Sequence, residues 1–386
     1  MGTVARALHP GLLALRRTAR LLGVLGVVLA LAGGPAPRAL ADSAGGVVVP
    51  LVFSTPETGL AGGATAVLFR PRSLPVDPAR EATDTLSLVG FYTAEQQYLA
   101  AASGRLHLAG GRWRIANAAT VSEFPRDYYG LGPLSAEADE ESYTPVRRTN
   151  SLRLERWIGD AWYAGVRWDA AYYRIEALDD GGQVEAYYDE RGLPLRNRLH
   201  GVGATLARDT TRGGPFAPTA GSETTLALVA FPEGLGADAA FTRAELDHRQ
   251  YISLGAGTTL ALQGIAEHTG SDAPLPLKPR LGGAALRGFY EGRYVDELLL
   301  TGQAELRLPI TGRWRGTAFA GAGDVFPSLS EATADHLKYG LGAGLRYLLV
   351  PDAGLSLRLD VARGYARGEA EDGDGVAVYF NIREAF

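Results

Sequence analysis

LGGAALRGFYEGRYVDELLLTGQAELRLPITGRWRGTAFAGAGDVF, residues 281–326, sets a glycine-rich loop carrying Arg287 directly before a strand that alternates without a break. Leu298, Leu300, Gly302, Ala304, Leu306 and Leu308 share one face of that strand; Leu299, Thr301, Gln303, Glu305, Arg307 and Pro309 share the other. One face is apolar and the other carries charge. A soluble sheet shows the same alternation with water on its polar side, so the remainder of the chain decides which solvent meets which face.

The amino terminus points to export. Arg6, Arg16, Arg17 and Arg20 flank or precede an apolar run from Leu21 to Ala32, and Ala39-Leu40-Ala41 supplies a small-x-small cleavage site. This predicts a cleaved signal peptide over residues 1–41, because a run of that length falls short of the roughly 20 residues a spanning helix needs. Arg16-Arg17 also permits a twin-arginine signal, the weaker reading, since arginine is common in any positive n-region. Removing residues 1–41 takes away five of the 38 basic residues and none of the 43 acids, which leaves a formal charge of −10. Such a charge argues against a nucleic-acid partner. With no cysteine, there is neither a disulfide framework nor a thiolate metal site.

From residue 42 onward no linker and no convincing helix-period segment occurs. What recurs is a segment of about 10–14 residues alternating with period two and bounded by Gly, Pro, Asp or Asn, the signature of a transmembrane β-barrel. The segments fall at 46–54, 59–70, 83–94, 96–108, 111–124, 146–158, 161–177, 195–209, 221–233, 239–254, 258–268, 297–309, 313–326, 337–349, 354–364 and 376–386. The expected fold is therefore all-β, a 16-stranded antiparallel transmembrane β-barrel over residues 42–386. An even count is what bacterial single-chain barrels show. It places 125–145, 178–194, 269–296, 327–336 and 365–375 outside the cell.

Charge on the strands chooses the lumen. Leu355, Leu357, Leu359 and Val361 oppose Ser356, Arg358, Asp360 and Ala362, while Tyr339 to Leu349 alternate against a glycine row and Arg346. Arg358 facing lipid at mid-bilayer would cost roughly 2–4 kcal/mol. Trp157, Trp162, Trp314, Tyr128 and Tyr129 lie near expected strand ends, where aromatic girdles belong. In the closing strand Val376, Val378, Phe380, Ile382 and Phe386 share an outward face that Glu384 interrupts. The charge there is expected at the periplasmic interface, where it costs roughly 0–1 kcal/mol.

Chemistry-bearing motifs are sparse. No G-x-S-x-G elbow occurs, and His107, His200, His248, His268 and His336 are scattered over different strands. The glycines at 281–283 and 340–344 do not lead from a strand into a helix with a Lys-Ser/Thr pair, so they read as strand glycines that admit a close-lying loop. Glu369 to Gly375 lacks the closing glutamate of a calcium loop. With Glu137 to Glu141 it makes the external loops acidic, and loose cation bridging to lipopolysaccharide is the conceivable role.

Leu286-Arg287-Gly288-Phe289 resembles the (V/L)RG(F/Y) motif on the inward-folded loop of the BamA/TamA superfamily of outer-membrane barrels, the bacterial surface antigen family. Five expected strands follow it, and the resemblance extends through Ala304 to Arg307, Phe319 to Phe326, GLGAGLRY at 340–347, the closing strand and the opening hairpin from Pro50. The family's terminal strand is read by the assembly machinery, which would make Phe380 and Phe386 part of that signal. The resemblance implies a role in inserting or translocating proteins or lipid at the outer membrane. The other readings are a passive pore or structural barrel, and an outer-membrane lipid-modifying enzyme. No cofactor, metal or catalytic residue is expected. The implied partners are outer-membrane lipid and lipopolysaccharide, with unfolded outer-membrane proteins or a separate periplasmic protein as clients or helpers.

The sequence departs from the family pattern twice. Only a few residues separate Ala41 from the first expected strand, which leaves no room for a POTRA domain. The family's usual aspartate on the strand after next corresponds to Gly321. The expected latch is therefore Arg287 with Gly288 and Phe289, paired to Glu305, with Asp324 or Asp296 as substitutes. The guanidinium offers a five-donor fork that a carboxylate can accept at two points. Pro50 removes a ladder donor from the first strand, as an openable seam against the last strand would require, or else marks a bulge.

Overall fold

The computed structural model describes residues 44–55, 59–77, 81–176, 178–366 and 376–386; the expected signal peptide and the acidic run at 369–375 lie outside them. The long strands are β1 (Gly45–Thr55), β2 (Gly59–Ser73), β3 (Glu81–Thr93), β4 (Tyr98–Leu108), β5 (Trp113–Glu123), β6 (Glu141–Gly159), β7 (Trp162–Glu176) and β8 (Arg196–Asp209). They continue as β9 (Ala217–Phe231), β10 (Phe241–Gly255), β11 (Thr258–Thr269), β12 (Leu298–Thr311), β13 (Trp314–Phe326), β14 (Lys338–Val350), β15 (Leu355–Tyr365) and β16 (Val376–Ile382). Each pairs antiparallel with the next, from β1 to β16. The result is one large antiparallel sheet in chain order.

The ladder's period sorts the side chains. On β12, Leu299, Thr301, Gln303, Glu305 and Arg307 are buried, whereas Gly302 and Leu308 are exposed. Burial thus follows the charged face, the reverse of a soluble sheet. The two ends of the strands differ as well. At one, the turn end, connections are tight: Asp160 and Ala161 both take positive φ (46° and 66°), as do Ala256 and Gly257 (48° and 76°). Turns of that hand match the twist of the strands they join.

At the loop end, longer segments fold over the sheet. The helix α1 (Gln183–Glu190) packs Val184, Tyr187 and Tyr188 against Tyr128, Tyr143, Leu275 and Val295. Residues Arg126–Tyr128 pair back onto the start of β6. Tyr128 and Tyr129 are consequently buried in this cap and do not belong to an outward girdle. Trp314, by contrast, is exposed at the turn end beside Tyr347, their rings 5.1 Å apart.

Charged residues meet across the enclosed face. Arg105 on β4 donates to Glu223 on β9 at 2.6 Å, and Arg167 on β7 pairs with Glu245 on β10. These strands are not neighbours in the ladder, so the sheet curls until opposite walls touch. A cavity of about 1270 Å³ lies between them, lined by Arg105, Arg153, Arg167, Asp209, Glu245 and Arg249 among others.

The turn between β8 and β9 crosses the turn end of this space. Phe216 enters a cluster with Val47, Val49 and Val67 from the first hairpin and Ala353, Leu355 and Ile382 from the last strands. Its amide donates to the Ala353 carbonyl at 3.1 Å, and its ring meets Phe69 edge-on at 5.5 Å. Both ends of the ladder are thereby tied to one aromatic ring. Among the described residues, however, no backbone pairing joins β1 to β16. Truncating Phe216→Ala should cost about 3–5 kcal/mol, read as a lower denaturant midpoint for the reconstituted chain; an unchanged midpoint would show that the ring does not bind the ends together.

Candidate functional site

Arg287 is placed by a loop whose backbone L-residues rarely adopt. Gly282, Gly288 and Gly292 take φ of 111°, 114° and 102°, so the chain between β11 and β12 can double back into the enclosed space. Arg287 ends up 1% exposed. Its Nη1 donates to Glu305 Oε2 at 2.6 Å and to Asp360 Oδ2 at 2.8 Å. One nitrogen therefore bridges two carboxylates; the two-point fork expected from the sequence does not form. The guanidinium lies 3.5 Å from the centroid of Phe319, whose face attracts the cation.

Three further arginines complete the cluster. Arg307 Nε donates to Glu305 Oε1 at 2.9 Å, Arg346 lies 3.3 Å from Glu305 and also pairs with Asp360, and Arg358 lies 3.4 Å from Asp360. Glu384 accepts from Arg346 Nε at 2.6 Å. Four cations and three carboxylates thus share one buried site, an arrangement that holds only while each charge keeps its neighbours.

The bed for this loop is a row of glycines. Gly321, Gly340 and Gly364 are successive register partners across β13, β14 and β15. A Cβ at Gly321 would stand 2.8 Å from Leu286 Cδ1, one at Gly340 would stand 2.0 Å from the Arg287 carbonyl oxygen, and one at Gly364 would stand 2.7 Å from Phe289 Cζ. One row further, Gly342 leaves space for the Phe319 ring. The GLGAGLRY strand is thus shaped to the loop residue by residue. It also explains Gly321: where the family pattern places an aspartate, Leu286 occupies the space, and Asp360 supplies the second carboxylate from β15.

Two expected partners of Arg287 are engaged elsewhere. Asp324 accepts the Lys338 ammonium on both oxygens at 2.9 Å and the Val325 amide at 2.8 Å. Lys338 also donates to the Pro133 carbonyl and sits 4.1 Å from the Tyr294 ring. This is a second anchor, joining the 125–140 and 281–296 loops at the loop end. Asp296 accepts the Glu297 amide, and burial pushes its carboxyl above the usual carboxylate range. Both lie at the loop end, one anchor away from the arginine cluster.

The terminal strand differs from the expected 376–386. It ends at Ile382, because Arg383 takes a φ of 89° and turns the chain inward. Glu384 therefore reaches Arg346 and does not interrupt an outward row. Phe386 leaves that row too: it is buried against Tyr251 and Ala261, and its carbonyl oxygen accepts from Arg307 Nη2 at 2.8 Å. A carboxylate matched by an arginine inside is more stable than one facing apolar surroundings, which gives the turn its reason. Phe380 remains on the outward row, opposite Leu359. Tyr379, on the inward row, accepts the Gly288 amide at 2.9 Å. Pro50 lies exposed in an unbroken β1–β2 register, opposite Ala64, so it marks no bulge there.

Sequence reading alone had not singled out Tyr379, nor Asp360, Arg346 and Glu384 as members of the cluster. Alternation puts Tyr379 between Val378 and Phe380, hence inward, and so carried a signal. Glu384 carried none, because the turn at Arg383 inverts the period.

Residues 110–386 match the family model described as the Omp85 superfamily domain. No curated protein matches the sequence. Among solved structures, BamA from Haemophilus ducreyi lacking POTRA domains 1–3 is similar at 14% identity and a TM-score of 0.54, over 89% of this chain and 69% of that one. CdiB from Escherichia coli is similar at 14% identity and a TM-score of 0.56, and CdiB from Acinetobacter baumannii at 13% and 0.52. In both, the match covers 89% of this chain; it spans 63% of the first and 60% of the second. At these identities the likeness is one of fold.

Two substitutions test the site. Glu305→Gln leaves Arg287 and Arg307 short of charge and should cost about 3–5 kcal/mol in a denaturant titration. Gly340→Val should lift the loop from its bed, so that limited proteolysis cuts within 281–296 at least tenfold faster; unchanged protection would show that the bed does not hold it.

Proposed function

The chain belongs to the Omp85 superfamily, and from that premise we propose that it forms a closed sixteen-stranded barrel in the bacterial outer membrane, with the loop end outside. Its role is to assist insertion or translocation of proteins or lipid through the β1–β16 seam, with the Arg287 loop as latch. Lipid and lipopolysaccharide surround it, and unfolded outer-membrane proteins or a separate periplasmic protein are its clients or helpers.

One observation carries this reading: the Arg287 loop is bonded to the strand that bears the open edge. Gly288 donates to Tyr379 on β16, and Arg346 links Glu305 to Glu384 just beyond it. The opposite edge of β16 has no ladder partner among the described residues, and β16 itself pairs with β15 over seven residues only. An edge whose amides and carbonyls are not paired is a template for another strand. In lipid such an edge is costly unless it is covered or used. Releasing the loop would free β16 from inside, while Phe216 holds both edges near each other.

A passive pore is the competing reading. The inward loop and the ion cluster are buried within the enclosed face beside Glu305, which speaks against free conduction. A lipid-modifying enzyme finds no support in the arrangement of the five scattered histidines.

Reconstitution separates these readings. Vesicles carrying the chain should speed folding of a purified, urea-unfolded outer-membrane protein, and cysteines introduced in pairs along β1 and β16 should abolish that effect when oxidised; the native chain has no cysteine to interfere. Client folding at the rate of empty vesicles would sink the insertase reading. Planar bilayers should give low conductance for the native chain and a higher one for Arg287→Ala, whereas a large steady conductance in the native chain favours the pore.

A further inference from the structure

On the outward face of β2 to β8, away from the Arg287 loop, lies a groove of about 1030 Å³. Its floor is made of very small residues. Ala64, Gly90 and Ala100 are successive register partners on β2, β3 and β4, and Ala102 and Ala119 face each other on β4 and β5. Elsewhere the outward face carries large exposed side chains, such as Leu106 and Leu108 further along β4 and Leu152 and Leu154 on β6. The small residues therefore form a local recess about 14 Å wide, three strand spacings of 4.7–4.9 Å, with Leu88 and Val121 also lining it.

The same transverse row that begins with Ala64 ends in charge. From Ala100 it passes to Val121, then to Arg148, Tyr172 and Arg198 on β6, β7 and β8. Arg148 and Arg198 are both exposed, and the Arg148 guanidinium lies 5.7 Å from the Tyr172 ring. Neither guanidinium has an acidic partner among the described residues; nearby Asp238 is used by the Arg198 backbone amide. On the enclosed face Arg105, Arg114, Arg167 and Arg249 reach carboxylates. Other exposed arginines on the outward face, Arg156, Arg196 and Arg363, likewise lack an ion pair among the described residues; what sets Arg148 and Arg198 apart is that they border the recess, where a guanidinium is open to a partner from outside the chain. They flank one tyrosine at about 10 Å, two strand spacings.

We propose that this groove is a binding site for a phosphorylated, multiply acylated glycolipid of the outer leaflet: acyl chains lie in the Ala64–Ala119 recess and phosphate oxygens are held by Arg148 and Arg198. Guanidinium matches phosphate geometry with paired N–H donors, and Tyr172 stands between the two arginines in the register. Arg198 is the third residue of β8, so the charges sit near the loop end, where a headgroup would be; Ala64, Gly90 and Ala100 lie beside them in the same row, and Ala102 and Ala119 one row nearer the turn end, so chains would run beside and below the headgroup. A recess several strands wide suits a lipid with more than two chains. The inference rests on the outward face meeting lipid with the loop end outside.

The test uses the full chain refolded into vesicles of phosphatidylcholine doped with equal amounts of lipid A and phosphatidylglycerol, followed by extraction and native mass spectrometry of retained lipid. The native chain should retain lipid A at least tenfold over phosphatidylglycerol. Arg148→Gln with Arg198→Gln should lose that preference, and Ala100→Phe, which fills the recess, should lower lipid A retention with both arginines present. Arg208→Gln, at the turn end of β8, should leave it unchanged. Equal retention of the two anionic lipids, or of lipid A by the native chain and the double variant, would overturn the site. A chain that fails to enter vesicles at all, judged by full protease sensitivity, would overturn the membrane reading beneath it, so the two failures are distinguishable.

Discussion

A guanidinium withdrawn from both water and lipid has to be matched by charge, and Arg287 is matched by two carboxylates on strands far apart in sequence. Glu305 lies on β12 and Asp360 on β15, with β13 and β14 between them. Holding both at one nitrogen fixes the curvature of four strands and the depth of the loop together. Because Arg346 shares both carboxylates and also Glu384, the same cluster reaches the end of the chain. Strand packing, loop position and terminal segment are thus one electrostatic unit. Removing a member does not simply subtract a bond; it strands the opposite charge.

Shape carries as much of this as charge. The glycines of β13 to β15 would be weak strand formers in isolation, since they pack no side chain. Here the missing Cβ atoms are the space into which Leu286, Arg287 and Phe289 fit, so the local loss is recovered as contact with the loop. The strand needs the loop to cover its inner face, and the loop needs the bare strand to lie deep enough for its arginine. Neither half is stable as found without the other.

Much of this is legible in the sequence. Alternation with period two located the strands to within a few residues over most of the chain, because a strand with one apolar and one charged face has a single acceptable register. The pairing of Arg287 with Glu305 followed from a short motif and the charge on β12. What escaped depended on long-range register or on local reversal. Asp360 was visible as an inward charge, but that it lies close enough to share Arg287 depends on how β12 to β15 stack. Gly321 looks in sequence like a lost partner, whereas in the fold it is the space for Leu286. Phe386 and Glu384 lie on the face opposite to the one alternation predicts because Arg383, a residue with no conformational signature in the sequence, takes a left-handed turn.

That turn also bears on how the seam is built. Had β16 continued to the last residue, it would have offered a longer edge to β1 and a longer ladder to β15. Ending at Ile382 shortens both, and the residues that would have extended the strand instead bind Arg346 and Arg307 inside. The edge strand is therefore held by inward side chains as well as by its seven-residue ladder with β15. Tyr379, Glu384 and Phe386 all point to the loop cluster, and Ile382 to the Phe216 cluster. The side-chain contacts that position this strand thus lie perpendicular to the direction in which its backbone hydrogen bonds form, so the two sets of contacts hold it along different axes.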